Sequence, residues 1–108
     1  MKIKNLEMVA FLNKADEIQK KRLPIKLHYA LRLNRESLFT KAQIYMQEYN
    51  RLKKEGKEKE LNELILSDTE ADVQKIKFSD LAKMDDSENY DALTGEEFAI
   101  IDFMIAKE

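Results

Sequence analysis

The chain has 108 residues, of which 44% are hydrophobic and 37% charged, with two glycines, one proline and no cysteine. This length allows one small domain over 1–108 and excludes a large multidomain enzyme. The lack of cysteine excludes disulfides, thiolate zinc sites, iron–sulfur clusters and cysteine nucleophiles. The apolar content is too high for a disordered chain, and the scarcity of Gly and Pro among so many charges predicts a mostly α-helical fold.

Two helices joined by a tight turn are predicted for the first half of the chain. Apolar residues recur every three or four positions in the first of them, which predicts a helix over 6–21. Pro24 disfavours helical geometry at the residue before it and is a good first residue for the next helix. That second helix is predicted over 24–55, about 48 Å long at 1.5 Å per residue. Asn34 and Lys41 are the two polar interruptions in its apolar stripe.

A break is predicted at Gly56, which lies in a stretch without apolar residues. The next apolar spacing predicts a third helix over 58–66. This helix either folds back on the far end of the second helix or continues it as one rod, at a cost near 1 kcal/mol for the glycine.

A short strand is predicted over 71–78, where β-branched and aromatic residues alternate with polar ones. Residues 1–5 are its predicted partner, with Ile3 and Ile76 facing the helices, because a two-stranded ribbon is marginal alone. Ser79 is then expected to cap a single helical turn over 80–84, ahead of an acidic loop over 85–89.

The last predicted element begins at a capping box, in which Thr94 caps a helix and Glu97 returns the hydrogen bond. Leu93 and Phe98 are spaced as a hydrophobic staple around this cap. The helix body, 98–105, is apolar on almost every side, so it is either enclosed by its own domain or covered by a partner.

The predicted fold is therefore mostly α, in the α+β class: a long antiparallel helical hairpin with a two-stranded β ribbon and a C-terminal buried helix. Truncating a core residue of this fold to Ala should cost about 2 to 5 kcal/mol. The predicted core comprises Phe11, Leu12, Ile18, Leu27, Leu31, Leu38, Ile76, Phe78, Leu81, Phe98, Ile101 and Ile105.

Catalytic and metal chemistry find little support in the sequence, so no catalytic residue, metal or cofactor is predicted. His28 is the only histidine and has no ligand or acid at helical spacing, which favours a structural or surface role. The acidic run 85–88 lacks the glycine and the bidentate glutamate of an EF-hand. It is a solvated loop or, alternatively, a loose divalent-ion site.

The charge is unevenly divided along the chain. Residues 1–60 carry 15 Lys/Arg against 8 Asp/Glu, while residues 61–108 carry 4 against 13. Two halves of this kind either neutralise each other or meet partners of opposite charge. Six cations near the turn between the first two helices are the candidates for phosphate contact: Lys20, Lys21, Arg22, Lys26, Arg32 and Arg35.

An apolar cluster lies in the distal half of the second helix, beyond the predicted reach of the first. It is either covered by 58–66 and the last helix or exposed as a strip for another protein or a second copy. Its members are the candidate protein-interaction residues: Tyr45, Met46, Tyr49 and Leu52.

The longest apolar run, 98–105, is far shorter than the roughly 20 residues of a membrane-spanning helix. The N-terminal residues show no cleavage site of a secretory signal. We therefore expect a cytoplasmic protein with no membrane partner.

The order of several short motifs resembles a family of small uncharacterised proteins encoded by phages and prophages of Gram-positive bacteria. The motifs are Met-Lys-Ile-Lys at 1–4, Arg-Leu-Pro-Ile-Lys-Leu at 22–27, Glu-Leu-Asn-Glu-Leu-Ile at 60–65, Ile-Lys-Phe-Ser-Asp-Leu at 76–81 after Val73, and Leu-Thr at 93–94 before Phe-Met-Ile at 103–105. The resemblance implies a phage origin, and hence the cytoplasm of a host cell, without defining functional residues.

The predicted function is non-enzymatic protein–protein interaction, either with a host factor or in phage assembly, with self-association as one form of it. The alternative is a small nucleic-acid-binding accessory factor that uses the basic N-terminal half.

Overall fold

Two antiparallel helices form the long axis of the fold in a computed structural model, which describes residues 1–82 and 88–106. Helix α1 (Asn5–Gln19) and helix α2 (Ile25–Lys54) are joined by a short turn that contains Pro24. The 30 residues of α2 account for the longest dimension of the molecule, 52 Å. The predicted helices over 6–21 and 24–55 are confirmed to within two residues at each end.

Helix α2 ends at Lys54, two residues before Gly56, and helix α3 (Glu58–Ile65) folds back to pack on α2. Gly56 has a φ of +69°, a left-handed conformation that L side chains rarely adopt. The N–H groups of Lys57 and Gly56 donate to the carbonyls of Leu52 and Lys53, at 3.0 and 3.2 Å. These two bonds make a Schellman motif, which turns the chain sharply. The predicted break is therefore confirmed, and the continuous rod is excluded.

We expect Gly56→Ala to lower the free energy of unfolding by about 1 kcal/mol, because the cost of a left-handed alanine is about that size. A methyl group there would meet no atom within 4 Å, so backbone conformation alone sets the effect. Urea denaturation measures it.

Gly95→Ala is the matched control, since its added methyl group also has open space but its φ is not positive. An equal loss of stability in both variants would contradict the assignment of the Gly56 effect to φ.

The β ribbon at the N-terminus differs from the prediction in its second strand. Strand β1 (Lys2–Lys4) pairs antiparallel with β2 (Asp68–Glu70), so that Ile3 lies opposite Thr69. The predicted pairing of residues 1–5 with 71–78 is wrong. The chain emerges from α3 beside the start of α1, and the first residues after α3 therefore reach β1 before 71–78 can.

A second, parallel pair of strands closes the other end of the fold. Strand β3 (Ile76–Lys77) pairs with β4 (Ile105–Ala106). Ile3 and Ile76 are both buried, as predicted, although they belong to different sheets.

Helix α4 (Phe78–Ala82) follows β3 directly. Ser79 therefore lies inside this helix, and the prediction that it caps a turn over 80–84 is wrong. Residues 83 and 84 of that turn, and 85–87 of the predicted acidic loop, lie outside the described part of the chain.

The C-terminal segment is helical only in its first part. Helix α5 (Gly95–Ile101) gives way to a 3₁₀ turn over 102–104 and then to β4, so the single helix predicted to reach 105 is wrong beyond 101. The capping box at its start is confirmed: Thr94 and Glu97 exchange hydrogen bonds of 2.9 and 3.1 Å. Helix α5 packs on α1.

Most of the predicted core is confirmed. Phe11 lies at its centre and meets Phe103 edge-on, with ring centroids 5.0 Å apart. Leu12 and Phe98 are only partly buried. Phe78 is wrong as a core residue: β3 ends one residue earlier, so strand alternation no longer applies to Phe78, and its side chain is 56% exposed. The predicted residues that are buried are Phe11, Ile18, Leu27, Leu31, Leu38, Ile76, Leu81, Ile101 and Ile105.

Asn34, one of the two polar interruptions in α2, fastens the second half of the chain to the hairpin. Its side chain is fully buried. Its Nδ2 donates to the carbonyl of Gln74 at 2.9 Å, and its Oδ1 accepts from the Gln74 N–H at 2.7 Å. The same amide contacts the sulfur of Met104 at 3.5 Å. One side chain thus binds the segment before β3 and touches the turn before β4.

Asn5, the first residue of α1, makes similar hydrogen bonds. Its Nδ2 donates to the carbonyl of Leu64 at 2.8 Å, and its backbone N–H donates to the carbonyl of Ser67 at 3.0 Å. Its Oδ1 accepts from the Thr69 hydroxyl. Asn5 and Asn34 are the two buried polar side chains among the described residues, and both bind backbone that returns from the distal half of the chain.

We expect Asn34→Leu to destabilise the fold by about 2 kcal/mol, because leucine fills a similar volume but leaves the Gln74 N–H and carbonyl without their partner. Thermal denaturation measures the change. Asn50→Leu, at an exposed position of the same helix, should leave the melting temperature nearly unchanged. Equal effects of the two variants would show that the buried hydrogen bonds are not what matters.

Candidate protein-binding groove between α1 and α2

An open groove of about 1070 Å³ runs between α1 and α2 on their outer side. Its apolar members come from both helices and its polar members surround them. The groove is lined by Val9, Leu12, Asn13, Gln19, Arg32, Arg35, Glu36, Phe39, Ala42, Gln43 and Met46.

The apolar part of the groove follows from helical spacing. Val9 and Leu12 are three residues apart on α1, while Phe39, Ala42 and Met46 follow at three and four residues on α2, so each set faces one way. These residues lie beside the buried stripe of each helix, which makes the apolar band wider than the contact between the two helices requires. Phe39 is 56% and Met46 41% exposed as a result.

Charged side chains at one end of the groove are paired with one another. Arg35 donates to Gln19 and lies 3.9 Å from a carboxylate oxygen of Asp16, while Arg32 and Glu36 are 3.6 Å apart. A hydrogen bond from Lys20 lowers the pKa of Asp16, and the charge of Arg35 adds to this effect. Each cation at this end of the groove therefore has a carboxylate within 4 Å.

The predicted strip of apolar residues on distal α2 is not a surface feature. Tyr45 and Leu52 are buried, Tyr49 is half-buried, and only Met46 is exposed. Helix α3 packs against this part of α2, and burial raises the pKa of Tyr45. An exposed strip is therefore wrong for Tyr45, Tyr49 and Leu52. Packing of 58–66 on this part of α2, the other alternative, agrees with their burial. Met46 belongs instead to the groove.

Phe39 is the groove residue that the sequence reasoning missed. It lies off the main apolar stripe of α2, and reasoning from that stripe alone leaves it out. The spacing of seven residues between Phe39 and Met46 was the available signal.

The six predicted phosphate-contacting cations do not form a free basic patch, because each has an acidic partner. Three of them bind carboxylates from the acidic half of the chain: Lys21 with Glu97 at 2.7 Å, Arg22 with Asp91 at 3.2 Å, and Lys26 with Asp80 at 3.9 Å. The other three pair within the helical hairpin: Lys20 with Asp16 at 3.0 Å, Arg32 with Glu36, and Arg35 with Asp16. The basic and acidic halves therefore pack on each other around this turn.

Two of these carboxyl groups hold the 91–101 segment against the turn between α1 and α2. The backbone N–H of Arg22 donates to Asp91 at 2.7 Å and, with the guanidinium, lowers the pKa of Asp91. Burial alone would raise the pKa of Glu97, but hydrogen bonds from Lys21 and from the Thr94 N–H outweigh it, so this pKa is lowered too.

A carboxyl group whose pKa is lower in the folded than in the unfolded chain stabilises the fold fully above its unfolded pKa, near 4. That stability is lost as the pH falls through the folded pKa. We therefore expect the melting temperature to decline with pH below about 4.5. Glu97→Gln keeps a capping-box acceptor and removes the charge. Its melting temperature should be lower than that of the unchanged chain at neutral pH and should fall less steeply as the solution is acidified.

Glu96→Gln is the matched control for this measurement, since Glu96 is an exposed neighbour in the same helical turn. A pH profile of Glu97→Gln as steep as that of the unchanged chain would contradict the role of the Lys21–Glu97 pair.

His28 is exposed. Within 1–82 and 88–106, no group of three or more histidine, aspartate or glutamate residues is placed to hold a metal ion. The helices of this part of the chain are also too short or too polar to cross a membrane.

No protein-family model, no curated protein and no solved structure matches this chain. The resemblance to phage and prophage proteins stays a prediction.

Proposed function

We propose that this protein acts by binding, as a non-enzymatic interaction module whose groove between α1 and α2 receives an amphipathic helix. The observation that carries the proposal is Phe39, a large aromatic side chain that lines the groove and is more than half exposed. Aromatic side chains of this kind are enriched at the centres of protein interfaces.

The shape of the groove supports a helical ligand. Two antiparallel helices leave a parallel-sided channel, and a third helix at the usual interaxial distance of about 8–10 Å fits along it. An incoming helix would place apolar residues at positions i, i+3 or i+4, and i+7 over Val9, Leu12 and Ala42. Phe39 and Met46 would close over it from the α2 side. Binding would remove both of these exposed side chains from water.

The polar groups of the groove suit binding better than catalysis. Arg32 pairs with Glu36, and Arg35 pairs with Asp16 and Gln19. Both guanidinium groups therefore already have partners within the protein. If the chain is phage-encoded, the helix that binds belongs to a host factor or to a protein of phage assembly.

Nucleic-acid binding through the basic cluster is the competing proposal, and the ion pairs favour it less. A phosphate at Lys21, Arg22 or Lys26 would have to displace a carboxylate that also holds the C-terminal half in place. Nuclease treatment in the crosslinking experiment distinguishes a nucleic-acid partner from a protein partner.

The test places a photo-crosslinking phenylalanine analogue at Phe39 and, in a matched chain, at Phe78. Both positions are phenylalanines with 56% exposure, but only Phe39 lines the groove. We expect irradiation in a nuclease-treated lysate of Gram-positive cells to give a protein adduct at position 39 and none at 78. Mass spectrometry should map the adduct to the apolar face of an amphipathic helix.

Equal adducts at both positions would indicate non-specific contact and contradict the proposal. Loss of every adduct on nuclease treatment would favour the nucleic-acid alternative instead, and salt-dependent binding abolished by charge reversal at Lys21, Arg22 and Lys26 would establish it.

A further inference from the structure

The outer face of α2 carries four exposed side chains whose spacing is symmetric: an aromatic residue, two charged residues and a second aromatic residue. Tyr29 is followed after three residues by Arg32, after four more by Glu36, and after three more by Phe39. At 3.6 residues per turn these four lie within an arc of about 80°. They lie opposite the buried stripe that contains Asn34. We call these four residues the outer strip.

Reversing the direction of α2 about the position of Asn34 places each member of the outer strip where another member lay. Tyr29 takes the place of Phe39, and Arg32 takes the place of Glu36. A two-fold axis through this point would therefore bring an aromatic residue onto an aromatic residue and a cation onto an anion. This is the self-complementarity that an isologous dimer interface requires.

We propose that α2 of a second copy of this chain packs antiparallel on the outer strip about this two-fold axis, along the edge of the groove that Arg32, Glu36 and Phe39 line. The inference rests on the proposed function in taking a helix as the partner and Phe39 as a contact residue. In the dimer, Arg32 of each copy pairs with Glu36 of the other, and Tyr29 packs on Phe39 of the other.

Charge and exposure support a second copy over a foreign helix. Arg32 and Glu36 are both about two-thirds exposed and lie 3.6 Å apart, so little opposes the exchange of this pair for an equivalent intermolecular one. Tyr29 and Phe39 are 61% and 56% exposed and become buried together.

The overlap of the two helices is long enough for a stable contact. The reversal that exchanges Tyr29 with Phe39 also places Ile25 opposite Gln43, so the paired region spans 25–43. This is about 27 Å, or five helical turns. Ile25 is the most exposed of the large hydrophobic side chains among the described residues, and this pairing covers it at the end of the interface.

The test is sedimentation velocity from micromolar to near-millimolar concentration, with charge-reversal variants. We expect twice the monomer mass for the unchanged chain and the monomer mass for Arg32→Glu and for Glu36→Arg, because each variant creates two like-charge contacts per dimer. An equimolar mixture of the two variants should form a heterodimer, since both of its pairs are again opposite in charge. The double variant R32E/E36R should dimerise on its own for the same reason.

Two further variants separate the interface from the fold. Phe39→Ser should be monomeric, whereas Phe78→Ser, a substitution at an equally exposed phenylalanine, should dimerise like the unchanged chain. Circular dichroism of each variant checks that the helices remain.

A monomer at every concentration would overturn the proposal, as would failure of the mixed variants to restore the dimer. The proposed function is judged separately, by the crosslink at position 39. A monomeric chain that still crosslinks to a helix of another protein keeps the proposed function and loses the dimer. A monomer that gives no adduct at position 39 refutes both.

Discussion

Two buried asparagines hold this fold together. A helical hairpin of α1 and α2 leaves one side covered by short, irregular segments, which have few backbone hydrogen bonds of their own. Asn34 supplies a donor and an acceptor to Gln74, while Asn5 donates to the Leu64 carbonyl in α3 and accepts from the Thr69 hydroxyl in β2. Buried backbone without such partners costs free energy, so the placement of both small sheets depends on these side chains.

The hairpin was predictable because its signals are local. Apolar spacing, Pro24 and Gly56 each act within a few residues, and the capping box at Thr94 does as well. The β pairings were not, since β2 is built from Asp68, Thr69 and Glu70, whose polar sequence carries little strand signal. It forms a strand because the end of α3 places it beside β1. The helix predicted through 98–105 was wrong at its end for a different reason. A run that is apolar on every side has no periodicity that distinguishes a helix from a strand.

The candidate site shows the same division. The sequence placed an apolar surface on distal α2, but which residues stay exposed depends on where α3 returns, and only Met46 remained from that set. The six cations were identified as a cluster, and the structure gives each an acidic partner. The partners of Lys21, Arg22 and Lys26 lie more than fifty residues away in sequence, so no local pattern could have named them.

The pairing of β1 with β2 sets an order of events for folding. These strands are separated by more than sixty residues, whereas α1, α2 and the Gly56 turn need only neighbours, and local contacts form faster than distant ones. During synthesis the hairpin is therefore complete before the segments that cover its inner face, 68–82 and 88–106, have been made. Until they arrive, Asn5 and Asn34 stand as polar groups on an uncovered apolar surface. The same two side chains that later fix the register of the returning chain keep that surface partly hydrated in the interval.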